Sequence, residues 1–417
     1  MRANHAPVLL LISLFLFISK SLYNVPMGIM ALIGVWYSCK YWKQLLRDPV
    51  IRSHVLLFFC LWLPMLISLV DAVNMRRSAA TVFPYLRFLF FGIYVLHEIR
   101  KAGVLEKIRA GIFVITAFWC IDAVIQLCLG IDLFGFPYRA GDITGLFYPR
   151  NTIAHVTASL SPFYFEMIRR RSARLPWLWL LLLPLFIVIL FSGRRAAWIM
   201  LALSCAGYLY YLLRLSGSYA WVSKRIIPIA LILAVVCVTA IGTSQTLRDR
   251  INITMELFSG DYQRIDAATA MRLPIWNTAA SMFRDNWVNG VGARGFRYAY
   301  SSYSAPDDYW VKNGGAQPTT QPHQIILEIL AETGTIGCLG LALFVYLLYR
   351  LVKHGHHFME CYTGLLALFV ATFPFNTNMA FYGSYWASMF WWLVVVTLLT
   401  ASIGSKPEQA RAVPRGP

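Results

Sequence analysis

Solid apolar runs recur along nearly the whole chain, separated by short polar segments. The runs do not alternate apolar and polar residues as the strands of a transmembrane barrel do, and residues 180–190 read LLLLPLFIVIL. Because about 20 apolar residues cross the hydrocarbon core as one helix, the pattern predicts about twelve transmembrane helices. Their predicted ranges are 6–22, 25–41, 54–73, 82–98, 110–130, 151–168, 176–192, 196–213, 226–243, 330–350, 359–377 and 384–403.

One long polar segment, residues 244–321, interrupts this pattern between the ninth and tenth predicted helices. Two of its stretches, 247–258 and 261–286, have a helical period, and Pro274 marks a helix start or a kink in the second. Loops of this length are usually functional when they are ordered. We therefore divide the chain into helices one to nine (1–243), a loop domain (244–321), helices ten to twelve (322–403) and a tail (404–417).

The composition supports a membrane protein. Of the 417 residues, 58% are hydrophobic and only 13% are charged, whereas a soluble domain is about half apolar and a quarter charged. A soluble enzyme and a disordered protein are therefore excluded, and the predicted fold is an all-α polytopic membrane protein. The first apolar run, 7–19, resembles a signal peptide, but no small-residue cleavage site follows it, so we interpret it as a membrane helix.

The formal net charge of +18 has an ordinary explanation in a membrane protein, because basic residues concentrate in cytoplasmic loops. If the N-terminus is cytoplasmic, every inner loop carries at least two basic residues. This arrangement places both termini in the cytoplasm and the 244–321 segment on the outer side, and no nucleic-acid partner is predicted. The eight cysteines form no C-x-x-C pair, and no metal-ligand spacing occurs, so neither disulfides nor a metal site is predicted.

Two adjacent arginines, Arg194 and Arg195, lie in a short turn on the predicted outer side, where basic residues are disfavoured. They are either a structural turn with side chains extended to the interface or a site for an anionic phosphate. We favour the phosphate site, because charge at the edge of the membrane is costly and tends to mark function. Arg150, in the outer loop before the sixth helix, is a secondary candidate.

The long loop and the segment that follows it supply further candidates. Arg272 is either an exposed residue of a loop helix or a second anion ligand. Arg264 lies eight residues earlier and is expected to share the face of Arg272 if one helix holds both. His323 opens the tenth apolar helix, where it either caps and packs or serves as a general base near neutral pH.

Three ionisable residues fall inside predicted membrane helices: Arg87, Asp122 and His155. Such residues form proton or ion pathways in some proteins and pair with one another in others. The sequence leaves both interpretations open.

Four motifs together resemble the O-antigen ligase family, part of a superfamily with O-antigen polymerases and bacterial protein O-oligosaccharyltransferases. They are S-G-R-R at 192–195, R-x-x-x-W at 272–276, G-V-G-A-R-G-F at 290–296 and H-Q-x-x-L-x-x-x-x-E-x-G-x-x-G at 323–337. The last motif is the most specific. The family more often has Asn after the histidine, where this chain has Gln324.

The resemblance implies a GT-C-like glycosyltransferase of the bacterial inner membrane with its active site facing the periplasm. Such an enzyme transfers a glycan from undecaprenyl pyrophosphate to lipid A–core and uses no metal or other cofactor. The resemblance assigns His323 as the catalytic histidine, Arg272 as the loop arginine and Arg194 or Arg195 as the turn arginine. Gln324 and Glu332, in the last motif, are secondary candidates.

Three other functions remain open at this point. An O-antigen polymerase would use a second lipid-linked glycan as acceptor, and a protein O-oligosaccharyltransferase would use a Ser or Thr hydroxyl. The short segment after the twelfth helix favours the ligase over the protein-modifying enzymes. A transporter of lipid-linked glycans would show repeated halves with broken helices, and the chain has no convincing internal repeat.

Overall fold

The computed structural model describes residues 5–100, 102–139, 142–216, 231, 234–235, 238–239, 241–242, 245–314, 319–354, 358–375 and 379–404. Within these residues every regular element longer than an isolated bridge is a helix. This agrees with the prediction, because a helix satisfies its own backbone hydrogen bonds where no water is present.

The helices before the long loop are α1 (Ala6–Phe15), α2 (Asn24–Leu45), α3 (Pro49–Ile67), α4 (Met75–Tyr85), α5 (Arg87–Glu98), α6 (Ala102–Leu129), α7 (Ile153–Arg171), α8 (Leu182–Phe191) and α9 (Arg195–Ser216). Those from the loop onwards are α10 (Gln245–Met255), α11 (Tyr262–Ala268), α12 (Leu273–Asp285), α13 (Phe296–Tyr303), α14 (Tyr309–Gly314), α15 (Ile325–His354), α16 (Phe358–Thr372) and α17 (Ser384–Gly404).

Six segments within the described part of the chain are long and apolar enough to cross a membrane: Pro49–Ile67, Met75–Glu98, Gly103–Leu129, Arg195–Leu215, Ile325–Leu351 and Ser384–Ala401. Shorter apolar helices occupy the first, seventh and eleventh predicted spans, and α2 and α7 are helical over the second and sixth. The ninth predicted span, 226–243, and the 404–417 tail lie largely outside the described residues. A multi-pass helical protein is therefore supported, and the count of twelve stays a prediction.

Large apolar side chains project from the surfaces of these helices. Leu32 is 73% exposed, Leu339 64% and Val114 61%. Contact with lipid accounts for such side chains on the outside of a bundle, because contiguous apolar surface is rare on soluble monomers. In contrast, α17 is central: its Trp386 and Trp391 are almost fully buried, and the helix packs against α3, α5 and α16.

Polar residues near the helix ends contact residues that the sequence predicts on the same side of the membrane. Glu106 pairs with Arg170 at 3.2 Å, which joins two segments predicted on the inner side. Asn289 of the long loop donates to Asp71 at 2.9 Å, which joins two segments predicted on the outer side. Which end faces the cytoplasm stays a prediction from the basic residues.

The long loop packs onto the first half of α15. Ile275 and Met282 of α12 form a small buried cluster with Phe296 and Ala331. After α12, the backbone N–H groups of residues 335 and 336 donate to the carbonyls of Trp287 and Val288 at 2.8 and 3.1 Å. The loop is therefore fixed to the membrane helix rather than extended into solvent.

A backbone break inside α15 allows this close approach. Gly334 has φ 62° and ψ −158°, a conformation that is essentially restricted to glycine. A Cβ at this position would lie 2.4 Å from the carbonyl oxygen of Val288. Gly334, the glycine of the E-x-G part of the last motif, therefore allows the loop backbone at Val288 to pack closely against α15.

The stretch 261–286 is not one helix. It contains α11 and α12, separated by Ala270 and Met271 with left-handed backbone at φ 62° and 57°, and Pro274 lies in the first turn of α12. The expectation that Arg264 and Arg272 share one helical face is therefore wrong, because the backbone between them is not a continuous helix.

Candidate active site

Arg194 is held in place by the outer loop that precedes α7. Its Nη2 lies 3.1 Å from Oδ1 of Asp142. The same oxygen accepts a 2.6 Å hydrogen bond from Nδ2 of Asn151, which also donates to the carbonyl of Ser192 at 3.0 Å. The loop before α7 thus orients the guanidinium of Arg194, which lies in the distant turn before α9. Its Nε is buried and has no hydrogen-bond partner within the described residues.

Arg195 and Arg272 lie near Arg194. Arg195 begins α9, and its Nη1 lies 3.5 Å from the Thr254 hydroxyl of α10. Arg272 directly precedes α12. Burial, followed by the charges of Arg195 and Arg194, lowers the pKa of Arg272 to about 10. The structure therefore brings together the three arginines that the sequence singled out.

His155 lies in the same environment. It is fully buried in α7, and it interacts electrostatically with Arg194 and Arg272. Neither ring nitrogen has a hydrogen-bond partner within the described part of the chain, which is unusual for a buried polar group. The imidazole thus retains unused hydrogen-bonding capacity near the arginines.

The other two embedded residues serve different parts of the fold. Asp122 accepts backbone N–H groups of Leu133 and Leu146 at 3.1 and 3.0 Å, which fixes the loop after α6. Arg87 donates to the Ser384 hydroxyl at 2.8 Å. Since each has its own partners, mutual pairing of Arg87, Asp122 and His155 is not observed.

His323 has a left-handed backbone, with φ 55°. Its Nδ1 lies 3.3 Å from Nε2 of Gln321. The sequence predicted that the helix opens at Pro322 and His323, but α15 begins at Ile325. This start was wrong because a left-handed residue does not continue into a right-handed helix, so His323 lies in the turn before it.

Arg272 and His323 occupy equivalent places on neighbouring helices. The carboxyl end of α12 bonds to the middle of α15, as described above, and Ile275 in its first turn belongs to the cluster against which Leu327 packs. The two helices therefore run side by side in the same direction. Arg272 and His323 precede them at the same end.

Backbone strain concentrates at these turns. Among the described residues, the non-glycine residues with positive φ are Ala270, Met271, Arg294 and His323. Each such residue costs about 1–3 kcal/mol, and such positions cluster at functional sites. Two of them directly precede Arg272, and one is the candidate base itself.

The secondary candidates have different surroundings. Arg150 donates to the carbonyl of Ile18 at 3.0 Å and lies over the Tyr385 ring. Arg264 is exposed and lies 3.5 Å from Glu256. The Gln324 side chain accepts the N–H of Leu327 and so caps the start of α15.

Glu332 joins α15 to the G-V-G-A-R-G-F turn. Its Oε2 accepts the backbone N–H of Arg294 at 2.6 Å, while its Oε1 is buried without a hydrogen-bond partner in the described chain. The glutamate of the last motif thus holds the preceding motif against α15.

Sequence reasoning missed several residues of the site. Asp142 and Asn151 orient Arg194, and Gln321 contacts His323, but none of them had been selected. The spacing of Asp142 and Arg194 along the chain carries no signal. Gln321 lies two residues before His323, so its proximity in sequence could have indicated the contact.

These features define a multi-pass helical membrane protein with an arginine cluster where its polar loop meets the bundle. Residues 180–344 match the family model described as O-antigen ligase, and this range contains all three clustered arginines and His323. The match supports the resemblance to the O-antigen ligase family that the motifs indicated, and it supports an enzyme of the ligase or polymerase type. Among curated proteins, none matches the chain.

Proposed function

We propose that the protein is an O-antigen ligase that transfers a glycan from undecaprenyl pyrophosphate to a sugar hydroxyl of lipid A–core. The observation that carries the proposal is the convergence of Arg194, Arg195 and Arg272. Like charges that repel one another in the absence of ligand form a preorganised site for a polyanion. The proposal includes a GT-C-like fold in the bacterial inner membrane, with the active site facing the periplasm.

The arginines bind the leaving group in this proposal. Negative charge grows on the pyrophosphate as the anomeric C–O bond breaks, and fixed guanidiniums stabilise it without rearranging during the reaction. Removing one donor from such a site typically costs about 10²–10³ in rate. The unpartnered His155 ring offers a further hydrogen bond to the same group.

His323 acts as the general base. It takes the proton from the acceptor hydroxyl while the oxygen attacks the anomeric carbon from the face opposite the pyrophosphate, so the configuration inverts. General-base catalysis contributes about 10²–10⁴ in rate. The location of His323 and Arg272 at the same end of two parallel helices supports this division of roles. No metal is required if the arginines neutralise the leaving group.

An O-antigen polymerase is the nearest alternative, because it uses the same donor and so requires the same arginines. A protein O-oligosaccharyltransferase differs from both only in its acceptor. The acceptor, rather than the arginine cluster, therefore has to distinguish these functions.

The test is transfer by the purified full chain with undecaprenyl-pyrophosphate glycan and lipid A–core in the presence of EDTA. We expect product from the wild type and from His5→Ala, which alters an exposed histidine at the start of the chain, and a loss of about 10² or more with His323→Ala. Longer glycans on the lipid carrier, with none on lipid A–core, would identify a polymerase. Failure of the folded wild type to consume donor would contradict the proposal and favour transport.

A further inference from the structure

A second cluster of arginines surrounds a cavity of about 260 Å³. The cavity lies between α4, α5, the G-V-G-A-R-G-F turn and the start of α17, and Arg77, Arg87, Arg294, Tyr382 and Ser384 are among its lining residues. It shares no lining residue with the cluster of Arg194, Arg195 and Arg272. It is therefore a separate feature of the molecule.

Arg294 is the most deeply buried arginine of this cavity, at 8% exposure. Its Nη1 lies 3.7 Å from Oε1 of Glu328, too far for a hydrogen bond, and has no hydrogen-bond partner in the described chain. The Glu328 carboxylate instead accepts the backbone N–H groups of Phe381 and Tyr382 at 2.8 and 3.1 Å. Part of the hydrogen-bonding capacity of Arg294 is therefore unused.

The neighbouring cations are also incompletely neutralised. Arg87 donates to Ser384, but its Nε is buried without a partner among the described residues. Burial, followed by the charges of Arg294 and Arg77, lowers the pKa of Arg297, and Glu332 opposes this effect. Three arginines line the cavity, and Arg297 lies near two of them. The nearby carboxylates are those of Glu328 and Glu332, so the excess charge is positive.

The chemistry of the lining selects a phosphate. Guanidinium groups bind phosphate oxygens with paired, charge-assisted hydrogen bonds, and the Ser384 hydroxyl adds a neutral donor. Complete ligand pockets have volumes of about 300–1,000 Å³, so this cavity suits one group of a larger ligand rather than a whole glycolipid.

Neighbours of the cavity residue Arg294 connect the cavity to the segment that holds the candidate base. Glu328 is in the first turn of α15, which begins at Ile325, just after His323 and Gln324. Arg297 lies 3.5 Å from the carbonyl of Thr320, shortly before His323. The pyrophosphate of the donor is already matched by the other arginine cluster. A phosphate bound here would belong to the second substrate.

We propose that the cavity lined by Arg77, Arg87 and Arg294 binds a phosphate group carried by the acceptor glycolipid and so positions the acceptor hydroxyl near His323. This inference rests on the proposed function, because it assumes that a glycolipid is the acceptor. It adds a determinant of acceptor choice that the donor arginines do not supply.

The first test is direct binding of lipid A–core, with its phosphates intact or chemically removed, to the purified full chain without donor. We expect the wild type to bind the phosphorylated form about tenfold or more tightly, since hydrogen bonds to charged groups contribute about that much each. Arg77→Gln with Arg87→Gln should lose this preference. Arg76→Gln, an exposed neighbour outside the cavity, should retain it.

The second test is steady-state transfer with the same variants. For Arg77→Gln with Arg87→Gln, we expect KM for the phosphorylated acceptor to rise about tenfold, with KM for the donor unchanged. Arg87→Lys, made in place of Arg87→Gln, should recover part of the loss. A rise confined to the donor KM, or equal binding of both acceptor forms to the wild type, would overturn the inference. Because binding is measured without turnover, loss of transfer with phosphate-selective binding would contradict only the proposed function.

Discussion

Arg194 and Arg272 lie close enough for the charge of Arg194 to contribute, after burial and Arg195, to a lowered pKa for Arg272. The two residues belong to different elements, the turn before α9 and the turn before α12. Asp142 pairs with Arg194, whereas no ion pair of Arg272 occurs within the described residues. The fold therefore holds cations together at a cost in stability, which an anionic ligand would offset.

Removing one of these cations should stabilise the ligand-free protein. Burial and the neighbouring arginines lower the pKa of Arg272 to about 10 in the fold, so the unfolded chain holds this proton more tightly and the penalty is fully present below pH 10. The penalty is relieved as the pH rises above about 10, towards the ordinary pKa of an arginine. At pH 7.5 we expect Arg272→Gln to raise Tm by about 2 °C or more, measured by thermal unfolding without donor.

Arg264→Gln is the matched control, because Arg264 is an exposed arginine of the same loop with a carboxylate nearby. Its Tm should stay close to that of the wild type. A lower Tm for Arg272→Gln would show that the guanidinium stabilises the empty site, contrary to the electrostatic argument.

Asp142 should be needed to orient Arg194. Replacement by Ala removes the oxygen shared by Arg194 and Asn151, and we expect KM for the donor to rise about tenfold, since hydrogen bonds to charged groups contribute about 1.5–3 kcal/mol. Asp142→Asn keeps an acceptor oxygen and should lose less. Asp307→Ala, in an exposed part of the loop, should leave KM for the donor unchanged. An equal rise of donor KM in Asp307→Ala and Asp142→Ala would contradict a specific role for Asp142.

Gln321 should position the candidate base. For Nε2 of His323 to accept a proton, Nδ1 must carry its hydrogen, and a half-turn of the Gln321 amide presents Oε1 to Nδ1. We expect Gln321→Leu to lower kcat about tenfold with little change in either KM. Gln321→Glu, which retains the acceptor oxygen, should recover activity. A matching fall in both variants would point to a packing role for Gln321 instead.

Gly334 should be required for seating the loop on α15. A Cβ there meets the Val288 carbonyl oxygen at 2.4 Å in a backbone conformation that other residues rarely adopt. We expect Gly334→Ala to destabilise the protein by about 2 kcal/mol or more and to lower Tm accordingly. Gly28→Ala, in α2 with open space around the added methyl group, should be neutral or stabilising; equal losses in the two variants would contradict this reason for Gly334.

The helical fold was predictable because the hydrophobic pattern of a membrane helix is local and the bilayer restricts the alternatives. The three arginines and His323 could be selected as candidates from the sequence because their charges or their position beside an apolar helix are unusual. The break between α11 and α12 was not, since two left-handed non-glycine residues, Ala270 and Met271, have no local sequence signature and are maintained by tertiary contacts.

Contacts between distant segments were also beyond the sequence. Asp142 meets Arg194, and Glu332 meets the backbone of Arg294, only after the bundle has assembled. The cavity of Arg77, Arg87 and Arg294 draws its cations from three elements, and no single motif contains them. Gly334 was recognisable as part of a motif. Its structural role was not, because that role depends on the close approach of the Val288 backbone.

In the proposed mechanism, Arg194, Arg195 and Arg272 bind the donor pyrophosphate while His323 acts on the acceptor. The most direct test is the dissociation constant of undecaprenyl-pyrophosphate glycan, measured without acceptor for the wild type, Arg272→Gln and His323→Ala. We expect donor binding to be at least about tenfold weaker for Arg272→Gln and unchanged for His323→Ala. Equal binding by the wild type and Arg272→Gln, or loss of binding in His323→Ala alone, would contradict this mechanism.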